Sequence, residues 1–434
     1  MTGGVSGAKR IAIIGGGWAG LAAAVEATRR GHAVTLFEMA AQFGGRARSV
    51  AVDHRALDNG QHILIGAYSA TLALMRTVGV DPARVLERLP LTLVGPDGVG
   101  LRLRSGPPTF AFARAVLAHR GWNLRERIGL LAAASGWMLR GFRCDATLSV
   151  DALTASLGPQ VRAQLIEPLC VAALNTPAGE ASATVFLRVL KDALFSGPGS
   201  ADLLLPRAGL SELFPGPAVA WLAARGTELR TSRRVDRIWR NDGVRDGGWE
   251  VDGERFDHVV LATTSVEAAR LTSDLAPQWS QLASALRFEP IVTVYLYREG
   301  TRLNEPMLAL PSDEHAAPAQ FVFDRGRLGG HHGVLAFVVS GAAPWVERGM
   351  RATVLATQQQ AARLPGDAGL GLRELRTFTE KRATFRCTPG LRRPSTGIAP
   401  GLYAAADYVA GPYPATLEGA VRSAQQAIAA IDTA

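Results

Sequence analysis

Six residues, Gly15-Gly16-Gly17-Trp18-Ala19-Gly20, stand between a short strand pattern, Arg10-Ile11-Ala12-Ile13-Ile14, and a helical pattern that runs to about Arg30. Gly31 stops that helix, and Ala33 to Phe37 reads as a second strand. A strand, glycine turn, helix and strand in this order imply a parallel sheet with both faces covered. Within the turn, GxGxxG spacing lets bare backbone approach a pyrophosphate at a helix N-terminus. Glu38, eighteen residues past Gly20, ends the second strand, where a carboxylate can accept hydrogen bonds from ribose hydroxyls. Gly15, Gly17, Trp18, Ala19, Gly20 and Glu38 are therefore candidate dinucleotide-binding residues. The alternative is a glycine-rich turn with no ligand.

The following segment favours FAD over NAD. Gly44-Gly45-Arg46-Ala47 comes within a few residues of Glu38 and extends the motif along the nucleotide, with Arg46 able to offset phosphate charge. Leu57-Asp58-Asn59-Gly60-Gln61-His62 lies where a chain following the dinucleotide reaches the flavin ring, which makes Gly60, Gln61 and His62 candidates there. Asp58 and Asn59 as turn residues and His62 as a satisfied core histidine are the plainer alternative. Val235, in the strand-like run Glu228 to Trp239, joins the cofactor-binding set. Near the C-terminus, Asp407 closes a strand running Gly401 to Val409. A helix from Ala415 to Ile431 then presents Thr416, Leu417 and Ala420 at its start.

With 434 residues, 47% of them hydrophobic, the chain can bury two cores. The expected class is α/β: a Rossmann-type FAD-binding domain formed by 9–79, 206–280 and 386–434, with an inserted α+β substrate domain formed by 80–205 and 281–385. The first insertion reads as helices and irregular stretches, most apolar from Ile128 to Phe142. The second reads as a largely antiparallel sheet of Ile291 to Tyr297, Gln320 to Asp324, Val334 to Ser340 and Leu372 to Phe385. Strands Glu228 to Trp239, Gly248 to Val251 and Phe256 to Thr264, with a turn at Asn241-Asp242-Gly243, return to the nucleotide domain.

Cys144, Cys170 and Cys387 have neither disulfide-framework nor metal spacing, so reduced thiols and no metal are expected. The net charge of +9 rests on scattered arginines, Lys9, Lys191 and Lys381 being the only lysines, which argues against a nucleic-acid stripe. No run of eighteen apolar residues occurs, and the first strand begins too early for a signal peptide to precede it. The expected location is the cytosol or the cytosolic face of a membrane. Trp122 to Phe142, with Arg125, Arg127, Arg140 and Arg143, reads either as an amphipathic docking stretch or as a buried helix with charged ends.

The glycine turn, Glu38, Gly44-Gly45-Arg46, Asp407 and Glu418-Gly419-Ala420 resemble the amine oxidase and carotenoid desaturase superfamily of flavoenzymes. Leu57 to His62, Glu167 to Thr176, Lys381 to Phe385 and Pro414 to Ser423 more narrowly resemble hydroxysqualene dehydroxylases, over nearly the whole chain from Ile11. Where that family has Gly-Asp-Trp, this chain reads Ala406-Asp407-Tyr408. The resemblance implies reductive conversion of hydroxysqualene, a C30 isoprenoid, to squalene in hopanoid biosynthesis, with an unspecified electron donor recharging FAD. Loss of an allylic hydroxyl needs an acid, for which Asp58, His62, Glu167, Tyr408 and Tyr413 are candidates. Glu167 and Asn175 stand out as polar residues in an apolar stretch, although a helix cap or a structural hydrogen bond explains them equally. Two rivals remain: another flavin oxidase or desaturase acting on an amine, carotenoid or porphyrin precursor, and a non-catalytic isoprenoid escort protein.

Overall fold

Arg10–Ile14 (β1) carries four consecutive buried residues and so has no solvent face, the mark of a strand covered on both sides. In the computed structural model, which describes residues 7–104, 106–241, 248–313 and 315–433, β1 lies inside a six-stranded sheet. The order is Glu228–Arg230, Ala33–Phe37 (β2), β1, His258–Leu261, Leu402–Ala404, Gly397–Ala399; all neighbours are parallel except the last pair. Helix α1 (Trp18–Arg29) connects β1 to β2 and ends where Gly31 takes a φ of +87°.

Three sequence strands are interrupted, each where the chain has to leave the sheet. The run expected from Glu228 to Trp239 breaks after Arg230, because the Ser232 and Arg233 amides turn back to the carbonyls of Ala40 and Glu38. Phe256 to Thr264 breaks at Asp257, which bonds both ways to Arg10 and passes the chain from a small antiparallel sheet into the main one. The strand expected from Gly401 to Val409 ends at Ala404; the Ala406 amide is taken by the Ser423 hydroxyl and the chain turns out to form a wall. The expected turn at Asn241-Asp242-Gly243 falls partly on residues 242–247, outside the described residues.

The second sheet is fully antiparallel, in the order Met307–Ala309, Phe321–Asp324, Val334–Val339, Phe288–Tyr297, Arg373–Phe385. Its strands alternate, as period-two geometry requires. Val292, Val294, Val322 and Phe337 pack in one apolar cluster with Val354 and Ala361, whereas Ile291, Phe321, Phe323 and Val338 face a cavity. Helices α3 (Pro108–Ala118), α4 (Leu124–Leu139) and α5 (Ala183–Phe195) wall the cavity elsewhere, α3 packing on both others. Among the described residues no helix is long and apolar enough to cross a membrane.

Helix α6 (Leu417–Asp432) lies against α1 and α2 (Ser69–Thr77). Glu418, fully buried, accepts from the Ala70 and Thr71 amides at 3.0 and 2.9 Å and from the Thr71 hydroxyl at 2.7 Å, and pairs with Arg422. It thus supplies the cap that the N-terminus of α2 lacks locally. Removing one partner from a buried charged cluster strands the others. We expect Glu418→Ala to lower the unfolding free energy by about 3 kcal/mol in urea titration.

Candidate functional site

The glycine turn is built from close backbone contacts. Gly15 has φ +107°, and a Cβ there would sit 2.4 Å from the Ala262 carbonyl oxygen; one on Gly20 would sit 1.7 Å from the carbonyl oxygen of Gly15. The second glycine pair crosses the first: Gly44 donates to the Gly16 carbonyl at 2.9 Å, and a Cβ on Gly45, at φ +60°, would lie 2.9 Å from Gly17 Cα. Gly17 caps α1 with no side chain and no acid follows in the first turn, so the amides at this end remain for an anion. Gly15, Gly17, Trp18 and Ala19 line the cavity. The Trp18 indole points into the protein, donating to the Ala47 carbonyl at 2.9 Å and packing 5.1 Å from the Phe214 ring.

Glu38 is buried, each of its oxygens accepting one amide: Gly16 and Ala40, both at 2.7 Å. Its carboxylate lines the cavity with acceptor capacity to spare for a ribose diol. Val235 lines the same end, its carbonyl taken by Arg270. Arg46 lines the cavity as well. Its guanidinium bonds Asp407 at 2.8 Å and the carbonyls of Arg382 and Ala383, tying the cradle to the second sheet. Asp407, Thr416, Leu417 and Ala420 all line the cavity. Thr416 caps α6 by accepting the Gly419 amide at 2.9 Å, and a Cβ on Gly419 would sit 1.9 Å from the Tyr413 carbonyl oxygen.

Gly60, Gln61 and His62 line the cavity farther along. His62 Nδ1 lies 2.8 Å from the Gly60 carbonyl, so that nitrogen carries the proton and Nε2 is an acceptor. Enclosure away from bulk water lowers the imidazole pKa and keeps it neutral at pH 7. Arg325, buried and not noticed in the sequence, holds Gln61 at 3.3 Å and the Pro206 carbonyl at 3.1 Å.

Several acid candidates turn away from the cavity. Asp58 is buried behind the wall, accepting from the Ser49 hydroxyl and the Leu210 amide at 2.7 and 2.8 Å, while Tyr295 donates to its backbone carbonyl. These are the bonds of a structural carboxylate. Glu167 opens the helix Glu167–Leu174 with an exposed side chain off the cavity wall. The Tyr408 hydroxyl is buried without a partner and also lies outside the lining. Asn175, left-handed at φ +48°, donates to Thr384 and Glu289 and accepts the Gly341 amide, a structural hub within the wall.

Tyr413 does face the cavity and brings with it Asp192, which the sequence reading missed. The Tyr413 hydroxyl faces the Asp192 carboxylate, and burial together with that carboxylate raises the phenol's pKa. Arg188 donates to Asp192 at 2.7 Å, and the guanidiniums of Arg188 and Arg422 lie 5.7 and 4.9 Å from the Tyr413 ring centre. The sequence signal was a lone acid one turn after an arginine, within the apolar run of α5. Together these walls enclose ≈ 640 Å³ in one cavity that runs from the glycine cradle into an apolar arm lined by residues such as Leu101, Phe112, Leu130, Trp137, Leu190 and Phe323.

A family model described as "flavin containing amine oxidoreductase" matches residues 18–431. The chain belongs to that family. Three hydroxysqualene dehydroxylases align with 96% of it at 25 to 29% identity, among them that of Rhodopseudomonas palustris at 29%, covering 97% of that protein. A zeta-carotene desaturase of Synechocystis is 26% identical, with 97% of each chain covered. The cyclohexylamine oxidase of Brevibacterium oxydans superposes with a TM-score of 0.68 at 16% identity over 98% of this chain and 99% of its own, a likeness of fold.

The protein is thus an FAD oxidoreductase, and its cradle fits that cofactor: side-chain-free glycine backbone at a helix N-terminus, then a buried carboxylate with lone pairs to spare. Glu38→Ala should leave the Gly16 and Ala40 amides unpaired and remove the ribose acceptor. Flavin retained through gel filtration, read as flavin absorbance per protein, should fall about tenfold or more.

Proposed function

We propose that the protein reduces hydroxysqualene to squalene, releasing water, as a step of hopanoid biosynthesis. The observation that carries this reading is the long apolar arm joined to the flavin cradle, with a Tyr413–Asp192 pair where α5 meets the N-terminus of α6. Alignment with hydroxysqualene dehydroxylases over 96% of the chain supports it. A C30 isoprenoid offers one hydroxyl and otherwise only hydrocarbon, which suits such a cavity.

An allylic hydroxyl leaves readily only as water, so a proton must reach it while the C–O bond breaks. Tyr413, protonated at neutral pH, donates that proton by turning its O–H from Asp192 to the substrate hydroxyl; burial and Asp192 raise its pKa, and the Arg422 guanidinium offsets part of that rise. The apolar walls keep water from returning to the carbon. Bound reduced FAD supplies the hydride, recharged by an electron donor outside this chain. Neutral His62, with its acceptor nitrogen free, orients groups at the ring end and is not the acid. The expected setting is the cytoplasm, at the inner face of the membrane that dissolves the substrate.

The zeta-carotene desaturase alignment supports a second reading, oxidation of a polyene in the same arm. The two differ in the direction of electron flow. Under anaerobic conditions, dithionite-reduced protein given hydroxysqualene should reoxidise its flavin with an equivalent of squalene formed. Reduced flavin that persists without squalene would sink the dehydroxylase reading, and flavin bleaching by a polyene would establish the other. Tyr413→Phe and Asp192→Asn should each slow squalene formation by about 10²-fold with flavin content unchanged.

A further inference from the structure

Large apolar side chains are exposed at eleven described positions, and seven of them belong to one region: Phe110 and Leu117 on α3, Leu124, Ile128, Met138 and Leu139 on α4, and Phe195 at the end of α5. Leu139 is 85% and Phe110 77% exposed. On α4, Leu124, Ile128 and Leu139 share an exposed face whose Leu131 and Ser135 reach the rim of the cavity, while Glu126, Leu130 and Trp137 are buried on the opposite one. An apolar helix face is ordinarily turned to a core or to lipid, yet Leu124, Ile128 and Leu139 stand in solvent.

Charge along this stretch is mostly positive, with Asp145 just beyond it. Between residues 104 and 144 the sequence holds seven arginines and a single acid, Glu126. That acid is buried, its carboxylate closing a capping box with Asn123 and accepting the Gln160 amide. Arg104, Arg114, Arg120, Arg125, Arg140 and Arg143 are all exposed. The patch also lies over the cavity: Thr109, Met138, Phe142 and Phe195 line it and are neighbours in sequence of the most exposed apolar residues, with the Phe142 and Phe195 rings 4.9 Å apart.

We propose that the outer faces of α3 and α4 dock on an anionic lipid bilayer and bring the apolar end of the cavity to the membrane. An apolar helix face ringed by arginines suits the boundary between acyl chains and anionic headgroups. Passage of substrate from that bilayer into the cavity rests on the hydroxysqualene reading; the docking itself does not.

The test is co-sedimentation of the flavin-loaded full chain with vesicles of phosphatidylcholine alone or mixed with phosphatidylglycerol. The wild type should partition about tenfold more strongly onto the anionic vesicles, and salt should weaken the binding. Phe110→Glu with Leu139→Glu, on side chains outside the cavity wall, should cut partitioning about tenfold on both lipids. Arg125→Gln with Arg140→Gln should abolish only the preference for anionic lipid. Failure of the wild type to sediment, or sedimentation that the glutamate variant retains with its flavin bound, overturns the proposal. Should that variant misfold, amide hydrogen exchange of the wild type decides: vesicles should slow exchange selectively over residues 108–140, and uniform or absent protection overturns the docking. Squalene formation from detergent-dispersed substrate, measured in parallel, separates a failed surface from a failed reaction.

Discussion

The crossing of two glycine loops, Gly17 over Gly45, is the contact from which the rest of the site is laid out. Backbone can come this close only where Gly45 carries no Cβ, and the Gly44 amide bonded to the Gly16 carbonyl fixes the approach. From that crossing the chain is led along the cavity by successive bonds. The Trp18 indole holds the Ala47 carbonyl, Asn59 holds the Arg46 carbonyl at 2.6 Å, and the Arg46 guanidinium reaches Asp407 and the second sheet. One short-range steric fact thereby helps to bring both sheets to one cavity.

Buried carboxylates show how the fold divides structural work from chemistry. Burying a charge is costly unless protein donors satisfy it. Glu38, Asp58 and Glu418 each meet that condition with backbone amides, and two of them do so by capping helices contributed from elsewhere: Asp58 at Leu210 and Glu418 at α2. Asp192 is held by side chains, Arg188 and Tyr413, and lines the cavity. Amide-held carboxylates are fixed by backbone, whereas Asp192 has side chains for neighbours, one of them the titratable Tyr413 phenol. The neutral imidazole of His62, pinned through Nδ1, belongs with the fixed groups.

The apolar arm has a structural cost that appears on the outside of the molecule. An apolar arm needs apolar inner faces on α3, α4 and α5, and α4 carries exposed apolar residues on its outer face too. Phe110, Ile128 and Leu139 remain uncovered by any element of the described chain. Lining and surface are therefore properties of the same short helices, and the arginines about them supply the solubility that the apolar residues remove.

What the sequence determined by itself is whatever depends on local backbone geometry. The glycine turn, the strand and helix around it, Glu38 eighteen residues on and the Thr416 cap are readable because each requirement is met within a few residues of chain. The alternation of Phe321, Val322 and Phe323 likewise carries the sheet's two faces in its own period. Tertiary structure alone decided which acids look into the cavity. Asp58, Glu167 and Asp192 are equivalent in sequence, each a carboxylate in apolar surroundings, but Asp58 meets Leu210, Glu167 meets solvent, and Asp192 meets Tyr413 from the far end of the chain. Strand ends at Arg230, Asp257 and Ala404 were hidden for the same reason: a β-prone run continues until a partner distant in sequence, such as Ser423 for the Ala406 amide, draws the chain away from its neighbour. Direction into or away from a cavity is a property of packing, and packing is not written in any single stretch of residues.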